Sequence, residues 1–244
     1  MMKEFFWFET EYPIGSGFAH FGPCHLAWLF VIAIFVWMSS KWYCKKSRAS
    51  QQRINRTIGV VFPLMEIYRD TVLFATGYWN AGFLPFHLCS MALLIAFLYV
   101  YTGWHFLGVI YVVLCMPGAA AALLFPNWTT YPFLSYMHIH AFLAHGLTIA
   151  FGAWLIASGQ IVPKWREYWI VICFGGIGFM LLYPLNQWLG TNFWFLAVPS
   201  TGSPLELVWK YTGSGWYLLG YFLFCMAVIA LWQLGIYFVR GRRK

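Results

Sequence analysis

The apolar positions of this chain gather into long runs, each close to the length that an α-helix needs to cross a lipid bilayer. About 20 consecutive apolar residues span the hydrocarbon core of a membrane. Seven runs approach that length: 21–39, 57–78, 84–102, 104–125, 133–157, 168–186 and 213–239. The second run is the least apolar, because Glu66, Arg69 and Asp70 interrupt it. The pattern predicts seven transmembrane helices.

Composition supports the same class. Of the 244 residues, 61% are hydrophobic and only 9% are charged, whereas a soluble domain carries about 25% charged residues. This excludes a cytosolic enzyme and a disordered chain, and the six cysteines lack the paired spacing of a secreted disulfide scaffold. We therefore expect residues 1–244 to form a single integral membrane domain, an all-α polytopic protein of the plasma membrane.

Lysine and arginine cluster on one predicted side of the membrane. Twelve of the 15 basic residues lie in the loop after the first run, in the loop after the fifth run, or in the C-terminal tail. These residues are Lys41, Lys45, Lys46, Arg48, Arg53, Arg56, Lys164, Arg166, Arg240, Arg242, Arg243 and Lys244. The positive-inside rule then predicts an outer N-terminus and a cytoplasmic C-terminus. The net charge of +8 reflects topology and attraction to anionic lipid, and it does not indicate a nucleic-acid partner.

Charged residues at membrane depth are costly and usually face the interior of the helix bundle. Glu66, Arg69 and Asp70 share one helix face by their i, i+3 and i+4 spacing, so we expect Arg69 to lie near both carboxylates. One interpretation is a structural cluster that neutralises itself. The other is that a carboxylate orients a histidine on a neighbouring helix.

A cysteine and a histidine stand near the predicted outer end of the third run. Pro85 suits the first turn of a helix and places His87 and Cys89 one to two turns below the surface. A cysteine in an apolar helix is usually a small buried hydrophobe. His87 points about 200° away from Cys89 on a helix, so a base for this thiol must come from another span.

Three histidines lie within eight residues of the fifth run: His138, His140 and His145. His138 and His145 share a face, while His140 turns away. Their separation of about 10 Å along the helix is too wide for one metal ion without further ligands, so we expect no metal and no other cofactor. Structural histidines bonded to carbonyl groups are the simpler interpretation. A polar pocket open to the outer leaflet would bring Cys89, Asp70, His138 and Asn186 together in the outer half of the bilayer, with His145 near the middle.

Several motifs in order along the chain resemble a known family. They are Leu84-Pro85-Phe86-His87-Leu88-Cys89, His145-Gly146, Asn186 followed by Gly190-Thr191-Asn192-Phe193, and Ser214-Gly215-Trp216-Tyr217-Leu218-Leu219-Gly220. They resemble the bacterial YwaF-like integral membrane proteins, which are grouped with the transmembrane-protein-164-type acyltransferases. His140 and Val198 depart from the glutamine and lysine expected at these positions.

The resemblance implies a reaction class and a pair of catalytic residues. Cys89 would be the nucleophile and His145 its base, acting on membrane phospholipids or lysophospholipids by covalent acyl transfer. The supporting or substrate-binding candidates are His87, His138, His140, Glu66, Asp70, Asn186 and Asn192. The side-chain amides of Asn186, Asn192 or Gln187 could stabilise an oxyanion. The alternatives are an intramembrane lipid hydrolase and a non-enzymatic binder or transporter of a small amphipathic ligand. Segment 187–212 is either an interfacial lid or an aromatic-belt loop without a chemical part.

Overall fold

The protein is a bundle of long helices. It is described here from a computed structural model covering residues 2–241, with side chains over residues 4–238. Seven long helices and no strand occur in this part of the chain. They are α1 (Pro23–Cys44), α2 (Arg48–Thr76), α3 (Leu88–Thr102), α4 (His105–Leu124), α5 (Tyr136–Ala157), α6 (Tyr168–Leu189) and α7 (Pro204–Gly241). The predicted all-α class is confirmed.

Six helical segments within residues 2–241 are long and apolar enough to cross a membrane. They are Pro23–Cys44, Ala81–Thr102, His105–Leu124, Tyr136–Ala157, Trp165–Leu189 and Pro204–Phe238. The remaining long helix, α2, has enough residues but carries too many charges, including Glu66, Arg69 and Asp70. The seventh crossing and the orientation of the termini therefore stay predictions.

Helix α4 lies at the centre of the bundle. In its most apolar stretch 72% of the residues are buried, against 11% in the corresponding stretches of α1 and α7. Tyr111 and Val112 of α4 pack in one core with Phe62 of α2, Ala96 of α3 and Phe151 of α5. Helices α2, α3 and α5 thus enclose α4, and the apolar surfaces left exposed on α1, α6 and α7 suit contact with lipid.

Helix α4 is not regular throughout, since residues Tyr111–Cys115 form a π-helical turn. Pro117 follows closely, and a proline lacks the N–H that would bond to a carbonyl in the preceding turn. The N–H of Met116 bonds to the carbonyl of Tyr111, and the carbonyl of Val112 accepts a hydrogen bond of 2.9 Å from the indole N–H of Trp232 on α7. The defect caused by proline is therefore compensated by a side chain from another helix.

The basic end of the bundle is closed by a polar network. The hydroxyl of Tyr43 donates to Asn55 at 2.7 Å and accepts from the side-chain amide of Gln160 at 2.7 Å. Asn55 donates to Gln160 at 2.9 Å, and Gln51 donates to the carbonyl of Tyr43 at 3.1 Å. These bonds tie the connection between α1 and α2 to the loop that follows α5.

The N-terminal segment crosses the opposite end, which is the predicted outer end. The N–H of Phe18 bonds to the carbonyl of Thr129 at 2.9 Å, and the ring of Phe8 stacks on Tyr78 with centroids 5.3 Å apart. Gly17 lies so close to the chain that a Cβ there would be 1.9 Å from the oxygen of Thr129. Glycine is required at this close approach, and the segment covers the end of the bundle at which α3 begins.

Two helix starts differ from the sequence prediction. Helix α3 begins at Leu88, and Pro85 lies in the preceding connection. Helix α7 begins at Pro204, earlier than expected, and changes direction at Gly213, whose φ is +66°. Between α6 and α7, Trp194 is only 5% exposed while Trp188 is 81% exposed. The aromatic segment therefore combines an exposed residue of the interfacial type with a residue packed inside the protein.

Candidate functional site

Cys89 occupies the first turn of α3. His87 is the N-cap residue, so Cys89 is the second residue of the helix, and its side chain is half-buried. The connection before the helix is fixed by Asn80, whose side chain accepts from the N–H of Gly82 at 2.9 Å. The first N–H groups of a helix have no partners within it and favour a nearby negative charge. This position suits a thiol that must pass through the thiolate form.

The predicted cluster on α2 forms as expected. The guanidinium of Arg69 donates to Asp70 at 2.8 and 3.0 Å and to Glu66 at 3.1 Å. It also donates to the hydroxyl of Ser90 at 3.4 Å and to the carbonyl of Phe83 at 3.0 Å. Arg69 therefore binds both carboxylates of its own helix and holds that helix to the chain on either side of Cys89.

Cys89 is an electrostatic neighbour of this cluster. Glu66 and Arg69 both act on the Cys89 thiol, and the buried Cys115 in the π-helical turn of α4 also interacts with it. Two carboxylates and one guanidinium leave the cluster with a formal charge of −1. The two groups act in opposite directions on a negative charge at the Cys89 sulfur, because the Arg69 guanidinium favours it and the Glu66 carboxylate opposes it.

His145 has one ring nitrogen free to accept a proton. Its Nδ1 lies 2.7 Å from the carbonyl oxygen of Ala141. A carbonyl only accepts, so Nδ1 carries the hydrogen and Nε2 holds the lone pair of the neutral ring. Within residues 4–238, Nε2 makes no hydrogen bond. The ring stacks on Trp128 with centroids 5.0 Å apart, which fixes the plane of a potential general base.

His140 is an electrostatic neighbour of both His145 and the charged cluster. It interacts electrostatically with both His145 and Arg69, and Arg69 interacts in turn with Cys89. Its Nε2 is buried without a hydrogen-bond partner among the described residues, and the same holds for the hydroxyl of Tyr136 one turn earlier on α5. Cys89, Arg69, His140 and His145 thus form a continuous series of electrostatic neighbours, although no hydrogen bond joins the Cys89 sulfur to an imidazole in residues 4–238.

His138 has a different environment, on the face of α5 that meets α1. Its Nε2 accepts a hydrogen bond of 2.8 Å from the indole of Trp28 and lies 4.0 Å from the sulfur of Cys24. Since the indole N–H occupies the lone pair, His138 is less suited than His145 to take a proton. His87 packs on the ring of Phe193 with centroids 5.1 Å apart.

The two asparagine amides proposed as oxyanion donors are engaged by the chain itself. Asn186 donates to the carbonyl of Phe193 at 3.0 Å and accepts from its N–H at 2.8 Å. Asn192 accepts from the N–H of Ala197 at 3.0 Å and donates to the carbonyl of Val198 at 2.9 Å. Both side chains hold the connection between α6 and α7 in place, which is a positioning role.

Sequence reasoning missed four residues around this site: Ser90, Cys115, Trp128 and Tyr136. Ser90 and Tyr136 stand next to or one turn from predicted residues, so helical spacing could have identified them. No local sequence pattern identifies Cys115 or Trp128, because only the packing of α4 and of the loop after it brings these residues to the site. In residues 4–238 no group of three or more His, Cys, Asp or Glu side chains is placed to hold a metal ion.

The chain matches a known protein family over most of its length. A family model described as the TMEM164 family matches residues 18–233, which include every residue of the candidate site. Comparisons with curated proteins and with solved structures found no match.

Proposed function

The chain belongs to the TMEM164 family, and on that premise we propose that it is an acyltransferase of the plasma membrane that moves acyl chains between phospholipids. Cys89 is the nucleophile and His145 the general base. The N-terminus is outside, so the site opens toward the outer leaflet. The substrates are a phospholipid donor and a lysophospholipid acceptor.

The reaction follows from the chemistry of a thiol and an imidazole. His145 takes the Cys89 proton on Nε2, and the thiolate attacks the ester carbonyl of the donor. The carbon–oxygen ester bond breaks, the proton passes to the leaving oxygen, and a thioester remains on Cys89. The hydroxyl group of a lysophospholipid then attacks the thioester while His145 accepts its proton, which returns to the sulfur as the new ester leaves.

The observation that carries the proposal is the free ring nitrogen of His145 in the same set of electrostatic neighbours as Cys89. His140 is an electrostatic neighbour of both this base and Arg69. Arg69 favours the negative charge that forms on the sulfur and counters the opposing effect of Glu66. The approach of His145 to Cys89 occurs with substrate bound, since catalytic hydrogen bonds often tighten only in the complex.

Acyl transfer between supplied lipids tests the proposal. The full chain is reconstituted in liposomes containing a phospholipid with an isotope-labelled acyl chain and an unlabelled lysophospholipid, and mass spectrometry follows the label. Wild-type protein is expected to move the label to the acceptor. Cys89→Ala abolishes the transfer, and His145→Ala reduces it by about 10²–10⁴-fold, as loss of a general base does.

Matched controls come from the same chain. Cys173 is exposed on α6, and His105 pairs with Glu167 at 3.0 Å near the basic end, so Cys173→Ala and His105→Gln are expected to keep the wild-type rate. Full activity in a folded Cys89→Ala variant would refute the proposal. Label appearing as free fatty acid, dependent on Cys89, would assign the chain as a lipid hydrolase instead.

A further inference from the structure

The connection between α6 and α7 turns back into the protein. Phe193, Trp194 and Leu196 are 0%, 5% and 1% exposed, and we call residues 193–196 the plug. The plug packs in an apolar cluster between α3, α6 and α7, and we call the space that it occupies there the groove. The lining includes Leu88 and Met91 on α3, Phe179 and Leu182 on α6, and Leu218 and Tyr221 on α7. A segment outside the long helices thus occupies a space with a largely apolar lining.

The conformation of the plug has energetically unfavourable features. Trp194 and Phe195 have φ angles of +56° and +57°, a left-handed conformation that bulky residues rarely adopt. The indole N–H of Trp194 is buried without a hydrogen-bond partner in residues 4–238, although buried tryptophans usually find one. Strained and unsatisfied residues of this kind persist where surrounding structure enforces them, often at binding and switch regions.

The two ends of the plug are held by hydrogen bonds, whereas the Trp194 ring is held by packing. Asn186 binds both backbone groups of Phe193, and Tyr217 donates to the carbonyl of Phe195 at 2.8 Å. The Trp194 ring rests against Gly178 of α6, where an added Cβ would lie 2.5 Å from the ring. A methyl group added at Gly178 therefore requires the Trp194 ring to shift.

The groove lies next to the candidate nucleophile. Leu88 and Met91, which pack against the cluster that contains the plug, flank Cys89 on α3. The ring of Phe193 contacts His87 with centroids 5.1 Å apart. On the outer side of α6, Met180 and Leu181 are 69% and 65% exposed, as expected of residues that contact lipid. The groove thus separates the lipid-facing surface from the first turn of α3.

We propose that this groove is an acyl-chain site, and that the Trp194 ring occupies the place of a lipid chain until one enters. The assignment of this chain as a substrate rests on the proposed function. An alkyl chain suits the groove because the six lining residues named above carry no charged group and the chain itself needs no hydrogen bonds. Once displaced toward the interface, the indole N–H can meet water or headgroups, and the left-handed residues can relax.

Photo-crosslinking with a lipid tests the site without requiring turnover. The full chain carrying Cys89→Ala is placed in nanodiscs of phosphatidylcholine with a diazirine in one acyl chain, irradiated, and mapped by peptide mass spectrometry. Gly178→Ala is expected to raise crosslinking at Leu88–Met91 and at Phe179–Leu182 at least threefold. Trp194→Phe keeps a ring in the groove and leaves the yield unchanged.

Gly176→Ala is the matched control, because a Cβ at this position of α6 meets nothing within 4 Å. Trp194→Ala opens the same groove by removing atoms, so it replaces Gly178→Ala if that variant does not fold. Equal crosslinking in wild type, Gly178→Ala and Trp194→Ala overturns the inference.

A parallel acyl-transfer assay with Cys89 intact separates the two proposals. Raised crosslinking without any wild-type transfer supports the groove and refutes the proposed function. Wild-type transfer with unchanged crosslinking refutes the groove alone.

Discussion

Arg69 has five N–H donors, as every arginine does, and all five are used. They reach Asp70 twice, Glu66, the hydroxyl of Ser90 and the carbonyl of Phe83. No donor is left for a substrate oxygen, so the role of this residue is to position others. It neutralises one of two carboxylates and fixes the connection that leads into the first turn of α3.

Replacement of Arg69 tests this positioning role. Arg69→Ala leaves two carboxylates uncompensated and is expected to destabilise the protein by about 3–5 kcal/mol, as the loss of one member of a buried ion pair does. Arg69→Lys keeps the charge but presents a single nitrogen in place of a planar fork, so its melting temperature is also expected to fall. Thermal unfolding in detergent measures both.

Arg53 provides the control for this experiment, since it lies on the same helix and is exposed. Arg53→Ala is expected to unfold at the wild-type temperature. An Arg69→Lys variant as stable as wild type would show that the forked contacts to Ser90 and Phe83 are dispensable.

The histidines of α5 show how one hydrogen bond decides what a side chain can do. His138 and His145 are two turns apart, and each makes one short contact through a ring nitrogen. The partner of His138 is a donor and occupies its lone pair, whereas the partner of His145 is an acceptor and leaves the other nitrogen free. Cys24 lies 4.0 Å from His138, yet the Trp28 indole makes this pair the weaker candidate for proton transfer.

Among the elements, α4 depends most on the rest of the bundle. Its π-helical turn leaves the carbonyl of Val112 facing Pro117, which has no N–H at the position where π-helical bonding would require one. Trp232 of α7 supplies the missing donor at 2.9 Å. Helix α7 is therefore attached to the centre of the bundle by a hydrogen bond as well as by apolar contact.

Trp232→Phe removes this donor while keeping an aromatic ring. Because the Val112 carbonyl is then buried without a partner, we expect a loss of stability of about 1–3 kcal/mol, measured by thermal unfolding. Trp216→Phe on the same helix is the control, since Trp216 is 69% exposed and should tolerate the change. Equal melting temperatures for the two variants would mean that water or another residue replaces the indole.

At the scale of the whole molecule, the two ends of the bundle differ in chemistry. One end carries most of the lysines and arginines of residues 4–238 and the network around Tyr43. The other end is covered by the N-terminal segment and contains Cys89. Helix α2 runs from one end to the other, antiparallel to α3. Gly59 packs against Val100 near the basic end, and Arg69 contacts Ser90 near the other end. This arrangement supports the prediction that α2 is a seventh crossing.

Cysteine labelling in intact cells tests that prediction. The exposed Cys44 reports on the basic end, while Ile14→Cys and Ala75→Cys report on the other end at exposed positions, each in a chain without other cysteines. A membrane-impermeant maleimide is expected to label positions 14 and 75 in intact cells, and Cys44 only after permeabilisation. Labelling of positions 44 and 75 from the same side would rule out a crossing by α2.

The positions of the helices follow from the sequence, because apolar runs of about 20 residues must be helical in lipid to satisfy their backbone groups. The contact of Arg69 with Glu66 and Asp70 was also predictable, since i, i+3 and i+4 spacing on a helix fixes it locally. The start of α3 was predicted at residue 84, four residues before its observed start at Leu88, because proline is compatible both with a first helical turn and with the connection before it.

Contacts between helices could not be predicted from any single apolar run of the sequence. No local feature of the sequence predicts that Trp232 contacts Val112, 120 residues earlier. The aromatic segment that contains Trp194 has a composition suited to a membrane interface, yet Trp194 packs on Gly178 in the interior. The sequence by itself determined the helices, their charged ends and the candidate cysteine and histidines, since these depend on neighbours along the chain. Only the tertiary structure decided which ring nitrogen is free, which amides are engaged and what fills the groove beside Cys89, because each of these depends on packing between distant helices.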